Sequence, residues 1–174
     1  MIKFTTTGIT EHLSMLSSLS AMPHRIRGRT ICEDTVGVEK WFHNRTYPKE
    51  RTGAKNAIII NAQAKKGRKS FVLFEDEKKE MRGMIEHGLA AAVEVAKRGG
   101  SCEGIIVEAV DSAINYMIKK MKEHVEKGIT VDGAPKPLKE KYARIKKALY
   151  PDAQILERTG QLLRSLVAKV IVDK

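Results

Sequence analysis

The clearest periodicity lies in the middle of the chain. Phe71-Val72-Leu73-Phe74 is a compact apolar anchor, and Glu75-Asp76-Glu77 after it suits the positive end of a helix dipole. The spacing predicts a helix running to about Lys97, with Met81, Met84/Ile85, Ala92 and Val95/Ala96 on one face. Arg98-Gly99-Gly100 stops it, and Ser101 is the expected cap of a second long helix. That helix carries Glu103 and Glu108 early, then the stripe Ile106, Val110, Ala113/Ile114, Met117, Met121 and Val125. Lys127-Gly128 is a fitting C-terminus. Joined by so tight a link, the two helices are expected to pack as an antiparallel pair.

The flanks are shorter and more varied. Ile2-Lys3-Phe4-Thr5 reads as a strand, broken by Gly8. Thr10 then caps a helix with Leu13, Leu16 and Leu19 at helical spacing, ended by Pro23. His24–Arg29 looks like an exposed basic link. One strand is centred on Thr35–Lys40, with room for a partner before it, and Asn44–Gly53, containing Pro48, reads as a loop. Asn56–Ala62 stays open: the triplet Ile58-Ile59-Ile60 favours a strand, the flanking alanines a helix, and Gly67 terminates either.

Thr130–Pro137 reads as a Gly/Pro/Asp loop and Leu138–Leu149 as an exposed basic helix, broken at Pro151. Thr159 is the expected cap of a short turn through Leu162 and Leu163. From Leu166 to Val172 a strand is expected, with Leu166, Ala168, Val170 and Val172 on its apolar face. Such a strand suits pairing with an earlier strand or with a neighbouring subunit. The reading is a single α+β domain over 1–174. A small antiparallel sheet packs against a long antiparallel helix pair, with an N-terminal helix and extended loops.

Composition narrows the class. The 174 residues are 42% hydrophobic and 30% charged, ordinary for a soluble globular chain. No apolar run approaches the roughly 20 residues of a membrane helix, and the N-terminus has no signal-peptide pattern, so no membrane partner and a cytosolic site of synthesis are expected. Net charge is +11, and its distribution carries more information than its size. Arg45, Lys49, Arg51, Lys55, Lys65, Lys66, Arg68 and Lys69 face only Glu50 as a counter-charge. A second run, Lys136, Lys139, Lys141, Arg144, Lys146 and Lys147, is opposed by Glu140 alone. Both runs are compatible with a well-solvated surface or with a path for nucleic acid, since phosphate neutralisation needs cations but no particular sequence.

Catalytic chemistry is hard to find. Gly67-Arg68-Lys69-Ser70 lacks the spacing of a phosphate-binding loop, because Ala62 stands where the first glycine belongs. His12, His24, His43, His87 and His124 show no metal-ligand spacing, and the two in predicted helices are expected to be exposed. Cys32 and Cys102 form no zinc or disulfide pattern and read as small buried or half-buried residues. Ser165 lies in no nucleophile elbow. No catalytic residue, cofactor or metal is expected.

The order of elements is more distinctive than any single residue. The opening strand and leucine-rich helix come first, followed by the β segment at Val36-Gly37-Val38 and the small-residue stretch ending at Gly67. The Phe71–Phe74 anchor then leads into two long helices and a basic segment from Pro137 to Lys147. Glu157-Arg158-Thr159-Gly160-Gln161-Leu162-Leu163-Arg164-Ser165 follows, in an x-x-Thr-Gly-x-Leu-x-x-Ser pattern. Over nearly its whole length the chain resembles the neck, tail-completion or head–tail joining proteins of tailed bacteriophages, of the Mu-like virion morphogenesis kind. It departs from them at Arg68-Lys69-Ser70-Phe71-Val72, where prolines are usual.

The resemblance implies a virion structural protein assembled in the host cytoplasm, most often as a six-membered homo-oligomeric ring. Its neighbours would be a head-side connector or portal adaptor and a tail terminator or tail tube. Double-stranded DNA would pass through it without sequence-specific contact. Of the two basic regions, in loops 43–55 and 128–137 and their flanks, Arg45–Lys69 is preferred for the channel because it is the more purely positive. Thr159, Gly160, Leu162, Leu163 and Val170 are the expected assembly motif. The alternative is a stand-alone basic nucleic-acid-binding protein.

Overall fold

The computed structural model describes residues 25–40, 46–133, 136–151 and 160–173. In chain order these form β1 (Arg25–Cys32), β2 (Thr35–Lys40), β3 (Thr46–Arg51), α1 (Gly53–Lys65), α2 (Glu75–Lys97), α3 (Glu103–Lys127), α4 (Glu140–Leu149), α5 (Gln161–Arg164) and β4 (Leu166–Asp173). The class is α+β, with the sheet divided into two two-stranded pieces, β1–β4 and β2–β3. The strand expected at Ile2–Thr5 and the helix expected after Thr10 lie outside the described residues. The described residues fall into two compact units: those within 25–29, 79–114 and 169–173 form one, and those within 30–78 and 115–168 the other. The long helices contribute to both.

In the first unit α2 and α3 pack antiparallel, and small residues let them approach. Gly88, Ala92 and Ala96, spaced by four, are the buried stripe of α2. Ala92, Ala96 and Cys102 form a core on which Ile105 and Ile106 pack. A Cβ at Gly88 would collide with the Ala109 methyl. Met81 and Met84, expected on this face, are only half-buried, because glycine and alanine occupy the line of contact. The helix turns at Gly99 (φ 74°), where Gly99 and Gly100 donate to the Ala96 and Val95 carbonyls at 2.9 and 3.1 Å. The next helix starts at Glu103, two residues after the expected Ser101 cap; buried Cys102 stands at the boundary and its carbonyl accepts from Ile106.

The basic link expected at His24–Arg29 is instead part of β1. Ile26, Gly28, Thr30 and Cys32 alternate with Arg27, Arg29 and Ile31, a period of two that the arginines obscure. Gly28 is what lets β1 lie on α3, since a Cβ there would meet Ile114 and Val110. Arg27 is tied to Asp173 on β4. The last strand therefore finds its partner earlier in the same chain.

The second unit holds the β2–β3 hairpin, and it corrects the loop expected at Asn44–Gly53. Thr46–Arg51 is a strand paired antiparallel with β2, in a register that sets Val36 opposite Glu50, Gly37 opposite Lys49 and Val38 opposite Pro48. Proline is tolerated in edge strands, and both strands of a two-stranded ribbon are edges. α1 settles the Ile58–Ile60 ambiguity as helix. Its N-terminal amides are satisfied by Asp34, which accepts from Gly53 N at 2.7 Å, and by Thr52, which accepts from Lys55 N at 3.3 Å. Asn56 is fully buried and donates to the Glu33 carbonyl and to Thr35 Oγ1 at 3.2 and 3.1 Å. Three consecutive isoleucines cannot share one helix face, so Ile58 is left 66% exposed.

A second buried cluster anchors the start of α2. Glu77 accepts from Phe74 N at 2.9 Å, closing the helix N-terminus, and its other oxygen meets His124 Nε2 at 2.9 Å. His124 Nδ1 lies 3.2 Å from the Ser70 carbonyl, and the Phe74 ring stands edge-on at 4.6 Å. His124 is thus buried, contrary to the expectation of exposure, because its two nitrogens find oxygen partners from the Ser70–Glu77 segment. His87 is exposed as expected.

Candidate nucleic-acid interface

Arg68 decides how the positive charge is arranged. It follows Gly67, whose positive φ of 72° ends α1 and turns the chain back. Arg68 itself is 9% exposed. Its Nη1 donates to Gln63 Oε1 at 2.8 Å, its Nε to the Lys136 carbonyl at 3.0 Å and its Nη2 to the Pro137 carbonyl at 3.1 Å. The guanidinium fork fits two successive carbonyls, as a lysine ammonium would not. The aliphatic part of Lys136 lies over Gly67, where an added Cβ would come within 3.1 Å of it. One buried arginine thereby fastens together two basic stretches nearly seventy residues apart.

The cations gathered there are not equivalent. Lys65, Lys66 and Lys136 are exposed at the clamp, and Lys139, Lys141 and Lys147 are exposed along α4 and its entry. Arg144 pairs with Glu140 at 2.8 Å, but both side chains are about four-fifths exposed, so water screens the pair and leaves the arginine accessible. Lys69 is held by Asp132 at 2.9 Å. Lys146 is buried, which removes it from the surface.

The eight expected channel residues therefore divide. Lys65, Lys66 and Lys69 stand at the clamp, with Arg68 beneath them as its fastening rather than as a phosphate ligand. Lys55 is exposed at the other end of α1, ten residues or about 15 Å along the helix from Lys65. Lys49 and Arg51 are half-buried in β3 and belong to the hairpin. Arg45 lies outside the described residues. The clamp was invisible in the sequence because a buried arginine and an exposed one look alike there. The only hint was its place directly after a helix-ending glycine.

The expected assembly motif forms a joint inside the chain. Gly160 adopts φ 67° at the N-cap of α5, a position with no side chain to cap, and Thr159 lies outside the described residues. Leu162 is buried, Leu163 and Val170 half-buried. Gln161, between Gly160 and Leu162, is not among the expected residues. Gln161 is fully buried and donates through Nε2 to the Lys49 carbonyl at 2.5 Å, beneath Gly37, where a Cβ would strike its side chain. Ser165, also buried, donates to the Leu162 carbonyl at 2.7 Å while its own carbonyl accepts from Glu33 N at 2.8 Å.

Cys32 and Glu94 depart from their ordinary acidity. Burial pushes the Cys32 thiol up, against a smaller opposing effect of its hydrogen bond with Ser165. Glu94 is held below the usual carboxylate range by its hydrogen bond and charge attraction with Lys97. Neither adjoins the clamp. Among the described residues no group of His, Cys, Asp and Glu is arranged to hold a metal ion, and no helix is long and apolar enough to cross a membrane. Compared with protein-family models, with curated proteins and with solved structures, the chain matches none.

Proposed function

We propose that the chain is a non-catalytic structural protein of a tailed-phage neck. It forms a homo-oligomeric ring between the head connector and the tail, with the Arg68-clamped basic surface turned toward the DNA. The observation that carries this reading is the clamp: two basic stretches, each ambiguous alone, are held together with their lysines exposed. Lysines in that arrangement neutralise phosphates without reading bases, which suits DNA that must slide past. The order of elements and the Thr-Gly-x-Leu segment supply the resemblance to neck proteins.

The site favours the region around Lys65–Lys69 over the hairpin as the DNA-facing surface, and adds Lys136, Lys139, Lys141 and Lys147 to it. A stand-alone nucleic-acid-binding protein would use the same surface, so assembly separates the two readings. Electron microscopy of the purified protein together with salt-dependent DNA binding is the test. Closed rings whose DNA affinity falls steeply with salt support the neck reading; a monomer with the same DNA affinity overturns it.

A further inference from the structure

One acid stands against the positive charge at the clamp. Between Lys127 and Lys139 the sequence holds a single carboxylate, Asp132. Its Oδ2 lies 2.9 Å from Lys69 Nζ, and both side chains are about half exposed. Lys78–Glu75, Lys120–Glu123 and Arg144–Glu140 are neighbours along one helix, whereas Lys69 and Asp132 belong to distant segments.

Buried backbone brings these two residues together. Lys69 stands between Arg68 and Ser70, both buried. Asp132 belongs to a tight turn in which Thr130 N and Gly133 N donate to each other's carbonyls at 3.1 and 3.0 Å. Thr130 is buried, and its hydroxyl also donates to the Gly133 carbonyl at 2.8 Å. Ser70 Oγ donates to the Ile129 carbonyl at 2.6 Å, which ties the start of that turn to the residue after Lys69. An ordinary surface pair is weak partly because two long side chains must be ordered to make it. Here the acid is short and its backbone is already fixed, so the ordering falls on the lysine.

A carboxylate offers an ammonium the same kind of charged oxygen acceptor as a phosphate. We propose that Asp132 is an internal stand-in for DNA phosphate, which occupies Lys69 and keeps that cation out of the set gripping duplex DNA. The proposal rests on the DNA-facing reading of the clamp above and adds a restraint to it. Lys65, Lys66 and Lys136 stay exposed for phosphate, while Lys69 must leave Asp132 to join them. A surface along which DNA slides gains from such a limit, since each further phosphate neutralised tightens binding and deepens its salt dependence.

Salt titrations of the full chain binding a mixed-sequence DNA duplex test it. Asp132→Asn keeps the shape and turn preference of the residue and removes its charge. It is expected to raise affinity about two- to fivefold at fixed salt. The slope of log K against log salt should steepen by up to about 0.9. On a Lys69→Ala background the same change leaves the slope where that background sets it, because the cation it would release is gone. Glu140→Gln removes an equal charge from the same surface, but Arg144 is already accessible, so the slope stays as in the wild type. Equal steepening by Asp132→Asn and Glu140→Gln, or by Asp132→Asn with and without Lys69, marks a general charge effect and overturns the masking. An unchanged slope for Asp132→Asn, in a chain that still binds with steep salt dependence, overturns the masking and leaves the DNA-facing reading in place. A wild-type chain without salt-dependent DNA binding overturns both.

Discussion

Gln161 lies beneath Gly37, and its side-chain amide donates to the carbonyl of Lys49, the residue opposite Gly37 in the hairpin register. The short helix α5 thus holds both strands of the β2–β3 ribbon at one point. A two-stranded hairpin is marginal in water by itself, so this contact is part of what makes it a fixed element. Gly37→Ala forces a methyl group onto Gln161 and is expected to cost about 1–3 kcal/mol. Gln161→Ala strands buried backbone acceptors, for a similar loss of about 1–3 kcal/mol. Urea denaturation checks both. The double variant should lose less than the two single losses combined, because the methyl no longer has a side chain to strike.

Arg68 offers a sharper contrast, between a residue that builds the basic surface and those that form it. Arg68→Ala removes the donors to Gln63 Oε1 and to the Lys136 and Pro137 carbonyls. Stability should fall by about 1–3 kcal/mol, and Arg68→Lys should not restore it, because an ammonium lacks the planar fork. Lys65→Ala or Lys141→Ala should leave stability within about 0.5 kcal/mol. Each should instead lower the slope of log K against log salt for duplex DNA by up to about 0.9. Filter-binding titrations at several salt concentrations separate the two classes.

Glu77 and His124 make a third case. Glu77→Ala removes the acceptor for Phe74 N and leaves His124 Nε2 buried without its partner. An expected loss of about 1–3 kcal/mol follows, and amide exchange should quicken first at Phe74 and in the first turn of α2. Glu77→Gln retains an acceptor for Phe74 and should lose less.

Cys32 gives a pH dependence with a definite sign. Burial favours the neutral thiol, so the folded-state pKa lies above that of the unfolded chain. Its contribution to stability is complete below the unfolded thiol pKa, about 8.5. It is lost as pH rises through the folded value, because the unfolded chain gives up its proton first. Stability should therefore decline on the alkaline side. Cys32→Ser should flatten that decline, and urea midpoints measured from pH 7 to pH 10 for both chains provide the check.

Much of the helical frame was legible in the sequence. The α2 and α3 periods, the Gly99 and Gly128 turns and the acidic first turn of α2 are local signals, and local signals survive folding. The strands were harder. β1 was hidden by arginines that a strand can present to solvent, and β3 by a proline that an edge strand accepts. α1 was ambiguous because its isoleucines run in a triplet, and the residue that caps it from outside, Asp34, lies nineteen positions away. The site followed the same rule. Which residues were basic was plain, but Arg68 as a clamp and Gln161 as a hairpin support are relationships between distant segments. The Thr-Gly-x-Leu segment was expected to serve assembly; among the described residues, Gln161 ties it to the hairpin and Ser165 to Glu33 of the same chain.

The proposed function has this chain form a ring around DNA, with the surface fastened by Arg68 turned inward. Electron cryomicroscopy of the purified wild-type protein tests it most directly. The account predicts closed rings whose lumen is lined by Lys65, Lys66, Lys136 and the exposed lysines of α4. Monomers on the grid, or rings with these lysines on the outer rim, would contradict it.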